Sequence, residues 1–148
     1  MTDTAVAKPV PLPDPSSEGF WEATRQHRLD VQRCTKCGHY LYPPDIVCPR
    51  CLTETLEYVP TSGRATLYSY AVITQPFHAG FASAVPYALA LVELDEQPGL
   101  RLVSTIVDTK ISALHIGMRL EVVFDDRDGQ TVPLFRAVEE GCDEQAVA

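Results

Sequence analysis

The chain has 148 residues, of which 45% are hydrophobic, and this size suits one compact domain with a small additional module. Its formal net charge of −8 opposes nonspecific binding to the phosphate backbone of nucleic acids. No stretch approaches the roughly 18 apolar residues of a membrane-spanning helix, and the N-terminus lacks the apolar segment of a secretory signal, so we expect a cytoplasmic protein that binds neither membranes nor nucleic acids.

The N-terminal segment predicts an extended arm followed by a helix. Residues 1–16 carry four prolines and few large apolar groups, a composition typical of an extended arm. A helix is predicted over residues 17–33, with Asp14 placed to cap it. Phe20 and Trp21 lie near one face of this helix. Their aromatic stripe either packs on the rest of the protein or belongs to a subunit interface, where such residues bind strongly.

Four cysteines in two matched pairs predict a metal site. Two residues separate Cys34 from Cys37, two separate Cys48 from Cys51, and ten lie between the pairs. Two facing pairs of this kind form the tetrahedral thiolate cage that zinc prefers. We therefore predict a zinc ribbon over residues 34–57; the alternatives are two disulfides or a thioredoxin-like redox pair. Because four sulfurs leave no open coordination position, the predicted zinc is structural rather than catalytic.

The residues beside the cysteines refine this prediction. Gly38 follows the second cysteine, where a knuckle often needs a positive φ angle, and Leu52 stands at the matching place in the second pair. His39 is not expected to be a ligand, because four sulfurs already complete the shell. Basic side chains either offset the negative charge of the metal cage or contact a phosphate-bearing ligand or an acidic partner. These are Arg33, Lys36 and Arg50.

Strand-like segments occupy the C-terminal part of the chain and predict an OB-type barrel over residues 58–138. Five segments have β-rich composition without helical period, and "DTKISALHIG" predicts a short helix between the third and the fourth. Five strands with such an insertion suit a small closed Greek-key barrel. Asp125, Asp126 and Asp128 are interpreted as a solvated hairpin end. Residues 139–148 are predicted to be an acidic flexible tail with an incidental thiol, Cys142.

One connection between strands, residues 75–87, is unusually long and aromatic. Long loops in compact domains are commonly functional or disordered, and its aromatic, glycine- and alanine-rich composition argues against simple disorder. We predict a docking or ligand-facing loop that carries Phe77, His78, Phe81 and Tyr87. The alternative is that its two phenylalanines plug the end of the barrel.

Recognisable catalytic motifs are missing from the sequence. It contains no Gly-x-Ser-x-Gly elbow, no His-Glu-x-x-His, no phosphate-binding glycine loop and no dinucleotide fingerprint. We therefore do not expect this chain to be an enzyme on its own.

The order of these segments resembles that of a known family. The stretches "FWEATRQHRLDVQRCTKCGHYLYPPDIVCPRC", "GRATLYSYAVI", "VPYALALVELDE" and "IGMRLEVVFDD" follow one another as in the rubredoxin-like zinc-ribbon/OB-fold family of acyl-CoA-associated proteins, long known as a domain of unknown function. The resemblance covers about residues 17–138. The ribbon motif alone is unspecific, whereas its position between an aromatic helix and a barrel is specific.

The resemblance implies an accessory subunit rather than a catalyst. Members of this family pair with thiolase-superfamily enzymes, including thiolases and the steroid side-chain aldolases that cleave a carbon–carbon bond in a CoA thioester. It implies a structural Zn²⁺ on Cys34, Cys37, Cys48 and Cys51, a CoA thioester as a shared ligand, and a hetero-oligomer, with a heterotetramer favoured. No catalytic residue of the family maps onto this chain.

The residues that contact the partner or the acyl-CoA are our own inference from aromatic exposure. They are Phe20, Trp21, Phe77, His78, Phe81 and Tyr87. Two other functions are weighed against the accessory role. A single-stranded nucleic-acid-binding protein would use the aromatics of "LYSYAV", but the negative charge opposes it. A small acyl-CoA thioesterase would release CoA without any partner.

Overall fold

The chain forms a mainly β structure in which a short helix precedes a zinc-ribbon sheet and a five-stranded barrel, as predicted. A computed structural model describes residues 5–139. Within that range the elements are α1 (Glu18–Arg25), β1 (Asp30–Cys34), β2 (Tyr40–Leu41), β3 (Leu56–Pro60), β4 (Arg64–Ile73), β5 (Tyr87–Leu94), β6 (Arg101–Ile106), β7 (Arg119–Arg127) and β8 (Gln130–Ala137), with 3-10 turns at Ala79–Phe81 and Ile111–Ala113. The first four residues of the predicted arm, the tail from residue 140 onward and Cys142 lie outside the described residues.

The helix is shorter than predicted, and the prediction of residues 17–33 was wrong at its C-terminal end. Helix α1 ends at Arg25, and His27 adopts a φ of 57°, which a continuing helix does not allow. Residues 30–34 instead form β1, which pairs along its whole length with β3. Asp14 does not cap α1, since the N-cap is Ser17; its carboxylate accepts the N–H groups of Ser16 and Ser17 in the preceding turn.

The ribbon sheet has the order β2-β1-β3, and all its pairings are antiparallel. The barrel therefore begins later than predicted, because residues 58–60 belong to β3 and not to a barrel strand. Gly63 turns the chain from β3 into β4 with a φ of 73°. A Cβ at this glycine would lie 2.5 Å from Cγ1 of Val122, so the close approach and the backbone angle both favour glycine.

The barrel is closed in the order β4-β5-β6-β8-β7, with β7 pairing back onto β4. Alternate side chains point inward, and β5 shows this alternation along its whole length. The predicted hairpin end is confirmed: β7 and β8 meet at a turn in which Asp128 and Gly129 both have positive φ, and the Asp126 and Asp128 side chains are exposed. The short helix predicted between strands is the turn Ile111–Ala113.

Ribbon and barrel share one hydrophobic core. Phe20, Leu29 and Val31, which precede the ribbon cysteines, belong to the same buried cluster as the inward-facing barrel residues. The side-chain amide of Gln97 also exchanges two hydrogen bonds of 2.9 Å with the backbone of Tyr40. The ribbon is therefore held against the barrel by apolar packing and by a direct polar contact.

No helix in the described part of the chain is long and apolar enough to cross a lipid bilayer.

Candidate functional site

The four predicted metal ligands meet at one point. The Sγ atoms of Cys34, Cys37, Cys48 and Cys51 all lie within 4.8 Å of one another. The Sγ atoms of Cys34 and Cys51 are 3.5 Å apart, and those of Cys37 and Cys48 are 3.6 Å apart. These distances are far longer than the S–S bond of about 2.05 Å in a disulfide. The prediction of one four-sulfur cluster is confirmed, and the alternative of two disulfides is wrong.

The backbone around the cysteines repeats the same knuckle twice. The N–H of Gly38 donates to the carbonyl of Cys34, and the N–H of Leu52 donates to the carbonyl of Cys48, each at 2.9 Å. Gly38 has a φ of 75°, as its position predicts, and Leu52 adopts the same left-handed conformation with a φ of 61°. The second knuckle therefore keeps the geometry of the first without a glycine.

Two threonine hydroxyls stabilise the negative charge of the sulfurs. The Oγ1 of Thr55 lies 3.2 Å from the Sγ of Cys34, and the Oγ1 of Thr53 lies 3.0 Å from the Sγ of Cys51. Hydrogen bonds from the Thr55 hydroxyl and, to a smaller extent, from the backbone N–H groups of Cys37 and Lys36 lower the pKa of Cys34 to about 5, and the hydroxyl of Thr53 lowers the pKa of Cys51. Burial and the neighbouring sulfurs instead raise the pKa of Cys37 to about 11. Thiolates are the form that binds metal, so these hydroxyls favour the ligating state.

The donor set fits a structural zinc. Four sulfurs bound to zinc at about 2.3 Å in a tetrahedron lie about 3.8 Å from each other, close to the observed separations. His39 is not part of the cluster. Among the basic residues, Arg33 donates from Nε to the carbonyl of Gly38 at 3.2 Å and lies over the ring of Tyr40, so it supports the first knuckle.

Leu52→Gly is expected to stabilise the ribbon. A left-handed backbone costs a non-glycine residue about 1–2 kcal/mol, whereas glycine adopts it freely and loses about 0.5–1 kcal/mol of chain entropy on folding. The Leu52 side chain is 76% exposed, so little packing is lost. We expect the free energy of unfolding to rise by about 0.5–1 kcal/mol in urea melts at fixed zinc.

The matched control is Gly38→Ala, which places a side chain at the corresponding position of the first knuckle. Its φ of 75° predicts a loss of about 1 kcal/mol. A lower stability of Leu52→Gly than of the parent chain would show that the Leu52 side chain contributes packing that outweighs its backbone conformation.

The six predicted contact residues divide into three groups: three are half-buried, two in the 75–87 loop are exposed, and one is buried. Trp21, Phe81 and Tyr87 are half-buried and line surface cavities, and the ring centroids of Phe81 and Tyr87 are 5.6 Å apart. Phe20 lines one of these cavities too but is only 2% exposed. It is a core residue, so the prediction that Phe20 contacts a partner through an exposed face was wrong.

The 75–87 loop lies on the outside of the barrel. Phe77 is 90% exposed and Phe81 lines surface cavities, so the alternative that both phenylalanines plug the barrel end is wrong. His78 caps the 3-10 turn, because its Nδ1 accepts the N–H of Gly80 at 2.9 Å. The N-terminal arm crosses this loop: a Cβ on Gly80 would lie 2.5 Å from the carbonyl oxygen of Ala7.

A His–Asp pair outside the metal cluster has a structural explanation. Nε2 of His27 lies 3.1 Å from Asp126, which also accepts a hydrogen bond of 2.6 Å from the hydroxyl of Thr131. The His27 ring stacks on Phe124 with a centroid distance of 5.2 Å. These contacts hold the turn after α1 against the β7–β8 hairpin.

Most residues that line these cavities were not found from the sequence, among them Lys8, Tyr42 and Arg127. They come from the arm, from the loop after β2 and from the end of β7. Nothing in their local sequence distinguishes them from ordinary surface or core residues, since only the fold brings them to the same groove.

A four-thiol ribbon joined to a five-stranded barrel defines a zinc-ribbon/OB-fold protein. The chain matches the family models described as "ChsH2, rubredoxin-like zinc ribbon domain" over residues 21–57 and "ChsH2, C-terminal OB-fold domain" over residues 58–125. The chain belongs to the ChsH2/DUF35 family.

Several curated relatives are similar to this chain. A "DUF35 domain-containing scaffold protein" of Methanothermobacter thermautotrophicus is 37% identical over 101 residues, which are 68% of this chain and 74% of that protein. A "Probable enoyl-CoA hydratase alpha subunit" of Thermomonospora curvata is 37% identical over 141 residues. A "3-oxo-4,17-pregnadiene-20-carboxyl-CoA hydratase alpha subunit" of Mycobacterium tuberculosis is 31% identical over 107 residues.

The two hydratase subunits are much longer than the matched region. The match covers 91% of this chain but 43% of the Thermomonospora protein, and 72% of this chain but 33% of the Mycobacterium protein. A solved structure described as "Ltp2-ChsH2(DUF35) aldolase" contains a chain that is matched over 98% of its length and 86% of this chain, at 34% identity and a TM-score of 0.78. That chain therefore corresponds to nearly the whole described fold.

Proposed function

We propose that this chain is a noncatalytic accessory subunit of a thiolase-superfamily complex, either a thiolase or a retro-aldol lyase, that acts on an acyl-CoA. It stabilises the catalytic subunit and helps to hold the acyl-CoA, in steroid or lipid side-chain degradation. The observation that carries this proposal is the 34% identity, over 98% of its length, to a chain of the Ltp2-ChsH2(DUF35) aldolase. The relative named as a scaffold protein supports the accessory role, and the relative named as a pregnadiene carboxyl-CoA hydratase subunit supports an acyl-CoA as the ligand.

An exposed apolar face on the barrel supports a subunit interface. The outward side chains of β4, β5 and β6 form cross-strand rows in which Ala71 lies opposite Leu89 and Leu91 opposite Val103. Leu89 is 40% exposed and Val103 is 66% exposed. Contiguous apolar surface of this kind commonly marks a protein contact. We assign this face, the β4–β6 face, to the catalytic partner.

We further propose that Cys34, Cys37, Cys48 and Cys51 hold a structural Zn²⁺ that folds the ribbon. All four positions of a tetrahedral ion are filled by sulfur, so the metal has no open position for water or substrate. Its role is to fix the knuckles and, through the shared core, to support the barrel.

The proposal is tested by native pull-down of the tagged chain from its source cells, followed by mass spectrometry of the intact complex. We expect a thiolase-like subunit in equal ratio, and Val103→Glu is expected to abolish its recovery, because a buried unpaired carboxylate is costly at an interface. Ile116→Glu is the matched control: Ile116 is 61% exposed and lies outside the β4–β6 face. Recovery of a lone monomer, or turnover of an acyl-CoA by the purified chain alone, would contradict the proposal.

Two observations weigh against the alternative of single-stranded nucleic-acid binding. The guanidinium of Arg101 covers the ring of Tyr68 at 3.7 Å, so this tyrosine is not a free stacking surface. Tyr70 is half-buried, and its hydroxyl donates to the carbonyl of Leu114. Together with the net charge of −8, these contacts predict no retention of single-stranded oligonucleotides in a filter-binding assay at low salt.

A further inference from the structure

The two cysteine knuckles are equivalent in their backbone but differ in one side chain. The N–H of Cys34 donates to the carbonyl of His39 at 2.9 Å. In the second knuckle, the N–H of Cys48 donates to the carbonyl of Thr53 at the same distance. His39 and Thr53 therefore hold the same place, two residues after the second cysteine of each knuckle. Only Thr53 brings a hydroxyl donor to this place.

Hydroxyl groups reach one pair of sulfurs in the cluster. The Oγ1 of Thr53 lies 3.0 Å from the Sγ of Cys51. The Oγ1 of Thr55 lies 3.2 Å from the Sγ of Cys34, and the two Oγ1 atoms are 2.8 Å apart. Among the described residues, no hydroxyl hydrogen-bonds to either of the other two sulfurs. The cluster is therefore divided into a pair with hydroxyl donors and a pair without them.

The sulfurs of Cys37 and Cys51 can be compared directly, because each is the second cysteine of its knuckle. Both residues are half-buried, and each follows an exposed basic residue, Lys36 or Arg50. Their exposure and their neighbouring charge are therefore alike, and the Thr53 hydroxyl is the main difference. A thiolate that accepts a hydrogen bond shares its charge with the donor and is a weaker nucleophile. Cys37 is accordingly the more nucleophilic of the two accessible sulfurs.

The sulfur nearest to Cys37 is placed to react with it. The Sγ of Cys48 lies 3.6 Å from the Sγ of Cys37, and Cys48 is fully buried. A disulfide of about 2.05 Å between them requires only a short movement of the two side chains. An accessible thiolate beside a second cysteine is the arrangement of an oxidation-sensitive pair, in which the second cysteine resolves the first product.

We propose that Cys37 is an oxidation site of the ribbon and that Cys48 is its resolving cysteine. The oxidant is hydrogen peroxide. The Cys37 thiolate attacks one peroxide oxygen, the O–O bond breaks, hydroxide leaves and a sulfenic acid forms. The Cys48 thiolate then attacks this sulfur, the S–S bond forms and a second hydroxide leaves. The two sulfurs lose two electrons in total, and one peroxide is reduced to two hydroxide ions.

The disulfide removes two of the four metal ligands. Cys34 and Cys51 alone do not complete a tetrahedral site, so the oxidised ribbon no longer retains Zn²⁺. Because metal binding and local folding are linked, and the ribbon and the barrel share one core, oxidation weakens the whole fold. This inference rests on the zinc assigned under the proposed function and adds a means of controlling it.

The order of reactivity is measured by alkylation. The zinc-loaded full chain, in a Cys142→Ala background that removes the fifth cysteine, is treated with limiting iodoacetamide, and the labelled peptides are quantified by mass spectrometry. We expect Cys37 to be alkylated at least about threefold faster than Cys51, because only the latter sulfur accepts a hydroxyl hydrogen bond.

The oxidation step is measured with limiting hydrogen peroxide. Zinc release is followed with a chromogenic chelator, and disulfides are mapped by mass spectrometry without reduction. We expect zinc release to accompany formation of the Cys37–Cys48 disulfide. A thiol reductant with added zinc should restore the original zinc content, because a disulfide is reversible.

Two variants exchange the side chains that distinguish the knuckles. Thr53→Val is expected to raise the alkylation rate of Cys51 about 3- to 10-fold, because a hydrogen bond to the thiolate is lost. His39→Thr is expected to lower the rate of Cys37, because it places a hydroxyl at the equivalent position. Thr35→Val is the matched control: its hydroxyl donates to a backbone carbonyl at 3.1 Å and not to a sulfur, so both rates should stay unchanged.

The outcomes separate this inference from the proposed function. Equal alkylation of Cys37 and Cys51, a first disulfide between Cys34 and Cys51, or unchanged rates in both Thr53→Val and His39→Thr would overturn the inference. One zinc per untreated chain and recovery of the catalytic partner would then leave the proposed function standing. A freshly purified chain without zinc would overturn both the structural zinc and this inference. Circular dichroism and zinc analysis of each variant confirm that a changed rate does not reflect an unfolded ribbon.

Discussion

Cys48→Ala is expected to empty the metal site and unfold the ribbon. Cys48 is fully buried, and its Sγ lies 3.6 Å from that of Cys37 at the centre of the cluster. The remaining three sulfurs leave zinc without its fourth protein ligand. Because metal binding and local folding are linked, and structural zinc contributes on the order of 10 kcal/mol, the loss should exceed that of any single packing change. Zinc content, measured by metal analysis of the purified protein, should fall below one equivalent.

The matched control for this variant is Cys142→Ala, which removes the cysteine that does not belong to the ribbon motif. It should keep one zinc per chain and an unchanged melting temperature. In Cys48→Ala, amide hydrogen exchange should accelerate first in β1 and β3, which lie beside the cluster. Full zinc content and unchanged partner recovery in Cys48→Ala would contradict the structural role of the metal.

Phe135→Ala is expected to cause the largest loss of stability in the barrel. Phe135 is fully buried, and it forms the register pair with Ile106 that joins β6 to β8. Replacing a buried phenylalanine by alanine typically costs about 3–5 kcal/mol, through lost apolar burial and the cavity that remains. Since domains of this size are stable by about 5–15 kcal/mol, the variant should unfold at a much lower urea concentration.

The control is Phe77→Ala, which removes the same side chain at a position that is 90% exposed. We expect it to change the free energy of unfolding by less than about 0.5 kcal/mol. Urea melts followed by far-ultraviolet circular dichroism compare the two variants directly. Similar midpoints for both would show that the β6–β8 junction contributes little to the stability of the barrel.

Short-range patterns were enough to predict the ribbon and the barrel. The paired cysteine spacings specify the metal cluster, and the β-rich composition of five segments without helical period was enough to predict the barrel strands, of which β5, β6 and β8 alternate between buried and more exposed residues. The end of the helix could not be predicted in the same way. Residues 30–34 form a strand because they pair with Leu56–Pro60, which lies more than twenty residues away in the sequence. Such a long-range pairing overrides local propensity.

The candidate contact residues, too, could be predicted only in part from the sequence. Aromatic content was enough to single out the 75–87 loop, but it could not separate the buried Phe20 from the exposed Phe77. That distinction depends on how α1 packs on the barrel. The positions of Lys8, Tyr42 and Arg127 could not be predicted for a related reason, because these residues line adjacent cavities only through the tertiary fold.

Residue 58 separates the two matched domains in the sequence. It does not separate two units that fold independently, because the ribbon and the barrel share one hydrophobic core. A fragment that starts there would lack Phe20, Leu29 and Val31, and it would expose the apolar barrel residues that these side chains cover. The two modules should therefore melt in a single transition, and chelation of zinc should lower the melting temperature of the barrel as well. The helix, ribbon and barrel together therefore form the unit that can be joined to other domains. In agreement, the longer Thermomonospora protein matches 91% of this chain.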